Sequence, residues 1–358
     1  MQGRGRLIAA VMTTLIVVSV TVLATLATRK LASSNPGTPL PSGTPSPSVS
    51  TTPGPTPTPF PRPARGPHPP DRGAYLGAWV QPWMGHTAED RITALTLYEG
   101  MVGRRLDVAH FFRKQDRMFP GHEERQSIAG GRMVLISWAG GPSADVRSGK
   151  LDELLRDRAR RVRDLGVPVF LRWRWEMERP DLASSAGPPR DYIAAWKRAR
   201  RIFAEEGAAN AGWVWCPTAY GFGLGRAQPF YPGDDQVDWI CADAYSDEGK
   251  RPLETALKEF LDWAKDHPDK PIMIGEYGAT DHGGRRAAWL REVGAMAKRR
   301  PQIKALVYFD SNFEKNGHVW PYTLRDSPAS LDALRGLLAD PYFNPRRLPA
   351  ERRPTATP

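Results

Sequence analysis

The sequence predicts an α/β protein whose main domain is a (β/α)8 TIM barrel, preceded by a transmembrane helix and a disordered linker. Three observations carry this. Eight short apolar runs alternate with amphipathic stretches from residue 75 onward. The runs are near-continuously apolar, as parallel strands buried on both faces should be. The alternation fills about 270 residues, the usual size of a closed eight-fold barrel. An open, doubly wound sheet satisfies the same rhythm and is the alternative, because periodicity does not show closure.

The elements can be justified in order along the chain. Arg4 and Arg6 precede an uncharged, mostly apolar run from Leu7 to Thr28, which Arg29 and Lys30 close. Such a run is long enough to cross a bilayer as a helix, whereas a cleavable leader has an apolar region of only about 7–15 residues. Thr25-Leu26-Ala27 is a poor cleavage site. Residues 1–33 therefore read as a signal-anchor, with a cleaved leader as the alternative. Both readings put the rest of the chain outside the cytoplasm, at the cell membrane or secreted. Residues 34–70 read as linker: from Asn35 to Pro70, 14 of 36 residues are Pro and 10 are Ser or Thr. With no periodic apolar face, nothing there offsets the entropy of ordering.

The formal charge of +11 suggests nucleic acid until it is apportioned. Residues 1–70 hold six basic and no acidic side chains, leaving 44 basic against 39 acidic in the remaining 288. The basic tail, 346–358, takes +3 of that excess, so the domain at 71–345 is nearly balanced and nucleic-acid binding is rejected. No Cys/His cluster has metal-ligand spacing, and His122-Glu123-Glu124-Arg125-Gln126 lacks the second histidine of a zinc-protease helix. Neither metal nor cofactor is expected. Cys216 and Cys241 form either a disulfide or a pair of buried thiols.

Within the domain the predicted strands are Tyr75–Val80, Val108–Phe112, Met133–Trp138, Val167–Trp175, Gly212–Cys216, Val237–Tyr245, Pro271–Glu276 and Ala305–Asp310. Helices are predicted over Tyr192–Glu206, capped by Asp191, and over Leu253–Lys265 and Ala287–Lys298. Ser327-Pro328 is a good cap and first-turn pair for a last helix ending near Ala339. The helix after the fifth strand is poorly marked, and Met118–Arg132 is ambiguous.

In a barrel, function collects at the C-terminal ends of the strands. There the fourth strand runs Arg172-Trp173-Arg174-Trp175-Glu176, the sixth Asp243-Ala244-Tyr245, and the seventh Gly275-Glu276-Tyr277. Two glutamates facing each other across a barrel mouth are the minimum equipment for cleaving a glycosidic bond. One must protonate the leaving oxygen, while the other attacks or stabilises the anomeric carbon; in retaining enzymes they stand about 5–5.5 Å apart. Taken singly, Glu176 reads equally as a salt-bridge partner of Arg172 or Arg174, and Glu276 as a loop anchor. Asp243 reads as structural. His86, His110 and His318 can line the cleft.

These segments resemble glycoside hydrolase family 26. Leu171-Arg172-x-x-x-Glu176-Met177 is similar to the family's Arg-x-x-His-Glu-Met motif, and Pro271–Gly278 to its nucleophile strand. Tyr231–Ile240, Trp213–Pro217 and Asp326-Ser327-Pro328 resemble the sixth-strand entry, the fifth strand and the C-terminal end. The resemblance implies a glycoside hydrolase with Glu176 as acid/base, Glu276 as nucleophile, and Arg172 and Tyr245 as orienting groups. It further implies a β-linked polysaccharide partner, β-mannan first and mixed-linkage β-glucan or xylan behind it. Trp175 replaces the usual histidine, Glu178 a common asparagine, and Ser137-Trp138-Ala139-Gly140 a histidine-rich segment. Trp138, Trp175 and Trp320 are the candidate sugar platforms, with His110 as a further binding residue. A barrel that binds glycan without cutting it is the alternative function.

Overall fold

The computed structural model describes residues 66–349. The expected anchor, the linker as far as residue 65 and the tail from residue 350 lie outside them. No helix among the described residues is long and apolar enough to cross a membrane.

Eight parallel strands close into a barrel in sequence order. They are β1 (Tyr75–Val80), β2 (Val108–Arg113), β3 (Met133–Trp138), β4 (Val169–Trp173), β5 (Ala211–Trp215), β6 (Trp239–Ser246), β7 (Ile272–Ala279) and β8 (Ile303–Asp310). Closure runs along the full length of the first and last strands, from Tyr75 opposite Ala305 to Val80 opposite Asp310. Gly77 lets β1 approach β2: a Cβ there would stand 2.6 Å from the Val108 carbonyl oxygen. The open-sheet alternative is thereby excluded.

The helices follow the predicted pattern with shifted ends. The helix after β4 spans Pro189–Glu205, starting at a proline rather than behind Asp191, which falls in its first turn. The predicted Leu253–Lys265 helix is broken into Leu253–Ala256 and Lys258–Trp263. The ambiguous Met118–Arg132 segment holds a helix at His122–Ala129, and Ala219–Gly223 is only a short turn of helix after β5. After β8 an antiparallel hairpin, β9 (Asn312–Lys315) and β10 (His318–Pro321), turns at Asn316-Gly317. Both turn residues have positive φ (54° and 74°), the turn type that matches the twist of a two-stranded ribbon.

The barrel's interior is layered. Its lower part is apolar, built from Val108, Leu135, Phe170, Val214, Trp239, Met273 and Val307. Two residues further along the same strands, the inward positions become His110, Ser137 and Arg172, all buried. The larger apolar layer lies between strands and helices, where Trp173, Tyr192, Trp196 and Trp213 interlock. Domain limits are wider than expected at both ends. Trp239 Nε1 donates to the Pro67 carbonyl (3.0 Å), and Arg346 Nη2 to that of Gly131 (2.8 Å). Residues 66–70 and the start of the basic tail therefore pack as part of the barrel.

Trp196 is fully buried and donates from Nε1 to the Gln236 carbonyl at 2.9 Å. Replacing it with alanine (Trp196→Ala) should cost about 3–5 kcal/mol of stability, read as a lowered midpoint in denaturant unfolding.

Candidate active site

The site is assembled around Arg172. β4 directs this side chain into the barrel, where it is 0% exposed. Its Nε donates to Ser137 Oγ at 2.6 Å, and the register of β3 on β4 sets the two residues side by side. Nη1 donates to both oxygens of Asp243, each at 2.9 Å, and Nη2 donates to Glu276 Oε1. The second oxygen of Glu276 accepts from the Tyr245 hydroxyl at 2.6 Å. Both oxygens of Glu276 thus accept hydrogen bonds, the pattern of an ionised carboxylate.

Glu176 stands in a different environment. Its backbone N–H donates to the Cys216 carbonyl at 2.7 Å, and its φ of 53° lies in the left-handed region. Arg174, two residues earlier, shares that conformation at φ 46°. Non-glycine residues held this way are costly, and such strain clusters at functional sites. Burial and the nearby Glu276 charge push the Glu176 carboxyl up to about 7, against a smaller downward pull from Arg179. Arg179 pairs directly with Glu176 Oε2 and also holds Asp181 at 2.8 Å. Two acids at one site are therefore set apart by their surroundings, one favouring its proton and the other facing two donors.

The expected residues fall into three groups. Glu176, Glu276, Arg172, Tyr245 and Trp175 come together, with the Arg172 guanidinium 5.2 Å from the Trp175 ring. His110 sits under the site rather than in the cleft: it is 3% exposed and contacts Ser137 Oγ through Nε2 at 2.6 Å. Burial and Arg172 hold its imidazole well below the ordinary histidine range, so it positions Ser137 as a neutral ring. Arg172 likewise orients Glu276 from below and has no exposed surface with which to touch a sugar. Trp138 is not a platform. It points outward from β3, fully buried against Phe119, because side chains alternate along a strand and its neighbour Ser137 takes the inward position. Trp320 is part-exposed on the hairpin and packs on Phe313 and His318.

Arg179 and Phe309 escaped the sequence reading. Arg179 lies three residues past Glu176, a spacing that could have suggested the pair. Glu178 is structural: its Oε1 accepts from the Thr218 backbone (2.8 Å) and hydroxyl (2.5 Å), tying the β4 end to the segment after β5. Phe309 packs against both Tyr245 and Phe112, giving the mouth an aromatic floor. Cys216 and Cys241 are bonded to each other. Glu176 borders two hollows, one of about 590 Å³ with Tyr245, Tyr220 and Arg251, the other of about 420 Å³ with Trp175 and Arg179. Together they make a cleft with the carboxylate at its middle.

No family model matches the chain. It is 25% identical over 291 residues to endoglucanase H of Acetivibrio thermocellus, a match covering 76% of this chain and 31% of that protein. Over 143 residues it is 31% identical to a mannan endo-1,4-beta-mannosidase of Thermothelomyces thermophilus, 36% of this chain and 26% of the relative. The chain thus spans under a third of the length of either curated relative. Among solved structures, the catalytic domain of the family 26 endo-β-1,4-mannanase of Bacillus sp. JAMB-750 superposes with a TM-score of 0.58 at 16% identity, covering 76% of this chain and 87% of that one. In fold, this chain resembles the family 26 β-mannanases among the solved structures. The barrel places Glu176 and Glu276 at one mouth, and the reading as a non-cutting module gains nothing from the site.

Because Glu276 raises and Arg179 lowers the proton affinity of Glu176, substitutions should move it in opposite directions. In Glu276→Gln the Glu176 carboxyl should titrate below its value of about 7, and in Arg179→Gln above it, as followed by carbon-13 NMR of the side-chain carboxyl.

Proposed function

We propose that this chain is a retaining glycoside hydrolase acting on a β-linked polysaccharide, with an endo-β-1,4-mannanase-like activity. The observation that carries the proposal is the pair of unlike carboxyls at one cleft: Glu176, buried and raised to about 7, and Glu276, held by Arg172 and Tyr245. The names of the relatives, an endoglucanase and a mannan endo-1,4-beta-mannosidase, support a β-glycan as substrate.

In the first step Glu176 donates its proton to the glycosidic oxygen as that bond breaks. Glu276 attacks the anomeric carbon and forms a glycosyl ester. Arg172 and Tyr245 keep the attacking carboxylate oriented throughout. In the second step the deprotonated Glu176 takes a proton from water, whose oxygen displaces Glu276 and restores both groups. Trp175, partly buried beside Glu176, offers a face on which a sugar ring can stack. The apolar run at 7–28 would anchor the enzyme in the cell membrane with its barrel outside, and the Pro-rich linker would let it reach polymer.

The test is incubation of the full chain with galactomannan, glucomannan, mixed-linkage β-glucan and xylan, with released oligosaccharides followed by chromatography. Products are expected from at least one polymer and from none with Glu276→Ala; silence on all four sinks the proposal. Glu176→Gln should lower kcat about 10²–10⁴-fold. The proton donor works only while protonated, and its pKa is raised, so kcat should fall as pH rises through about 7.

A further inference from the structure

Arg174, just past the end of β4, is a buried cation without a matching anion. It is 8% exposed, and the influences on its charge are burial and the Tyr192 hydroxyl, with no carboxylate among them. Of its five N–H groups, three are used. Nη1 donates to the carbonyls of Ala139 (2.8 Å) and Gly141, and Nη2 to Ser185 Oγ. The Nε–H is buried and has no partner. Three neutral acceptors suffice to tie the loop after β3, so the unused donor edge is surplus to that structural role. A guanidinium stripped of water and given only neutral oxygens is expensive to keep. The backbone here is also the strained stretch of the site, with positive φ at both Arg174 and Glu176.

The side chain lines the 420 Å³ hollow with Gln115, Trp175, Glu176 and Arg179. The other charges in that hollow are balanced, since Arg179 is shared by Glu176 and Asp181. Only the charge of Arg174 is left over. The adjoining surface adds to it. Phe112 packs 5.3 Å from Trp175 and leads into a second hollow lined by Lys114 and Arg117, both exposed and in no ion pair among the described residues.

We propose that this hollow is a subsite for a sugar carboxylate: the glycan carries a uronate unit beside the bond cleaved, its acid group received by Arg174 and its ring lying on Trp175. The inference rests on the cleft being the glycan-binding cleft proposed above. A carboxylate received by the guanidinium where it lines the hollow would supply the countercharge that the fold omits. The uronate belongs either to the backbone or to a branch, and the two sources present the same group to Arg174.

The experiment uses the full chain carrying Glu276→Gln, so that ligands are bound and not consumed, with Kd read by titration calorimetry. The probes are β-1,4-mannuronate oligosaccharides, with the acid in the backbone, and glucuronate-branched xylo-oligosaccharides, each beside its carboxyl-reduced form. At least one acidic ligand should bind about tenfold or more tightly than its reduced partner, the worth of a charge-assisted hydrogen bond. Adding Arg174→Gln should bring that ratio to near one while leaving the Kd of the reduced ligand within about twofold. Should Arg174→Gln unfold on heating well below its parent, Arg174→Lys replaces it, and a reduced but persistent ratio supports the subsite. Equal binding of both acidic ligands and their reduced forms overturns the inference, as does a preference that survives Arg174→Gln. A preference for acid without cleavage of either acidic oligosaccharide or of any of the four polymers by the wild-type chain keeps the subsite and removes the hydrolase reading. Cleavage without the preference does the reverse.

Discussion

The guanidinium of Arg172 has no contact with solvent, yet it is bonded on three sides: to Ser137, to Asp243 and to Glu276. A cation this deep is tolerable only when its partners are fixed, and removing one partner of such a buried pair typically costs about 3–5 kcal/mol. The constraint therefore runs outward from Arg172. β3 must supply a small hydroxyl residue at position 137, β6 a carboxylate at 243, and β7 a second carboxylate at 276, each in an inward register. Gly275 belongs to the same constraint, since a Cβ there would stand 2.8 Å from Arg172 Nη1 and from Asp243 Oδ1. The apolar floor of Phe170, Trp239 and Met273 beneath these residues keeps water from competing for their hydrogen bonds.

Above that buried network the two glutamates diverge. Glu276 is held from below and from the side by groups that orient it. Glu176 is placed by a strained turn and shielded from water, so its neutral form is favoured by burial and by the charge of its neighbour. Arg179 opposes this from the cleft side. Two identical side chains are thus given different surroundings, one by the turn after β4 and the other by β7 of the same barrel.

Much of this was legible in the sequence. The eight strands were, because parallel strands buried on both faces leave unbroken apolar runs, and β1, β3 and the end of β8 fall where those runs lie. The two glutamates were legible because each follows such a run. Trp138 misled because aromatic residues at strand ends invite a functional reading, while the alternation of side chains, also present in the sequence, sends it outward. His110 shares the inward parity of Arg172 but lies too deep to reach a sugar, and strand depth depends on the stagger of the barrel rather than on spacing. The Pro-rich composition hid the packing of residues 66–70, since Pro67 meets β5 through the bare backbone of Gly212 and leaves no periodic pattern. The pairing of Arg179 with Glu176 depends on the turn after β4, whose positive φ values no propensity at Arg174 or Glu176 announces.

Lys315 on the β9–β10 hairpin reaches Asp181, which holds Arg179, which in turn holds Glu176. This is an ionic relay with one end in bulk water and the other on the buried carboxyl of Glu176. Its outer pairs are exposed to dissolved ions, whereas the repulsion from Glu276 acts across a buried site that ions screen far less. Dissolved ions therefore weaken the tie between the hairpin and Arg179 before they act on the buried Glu176. The hairpin and the turn after β4 are thereby fastened to each other at the surface, so the position of one constrains that of the other.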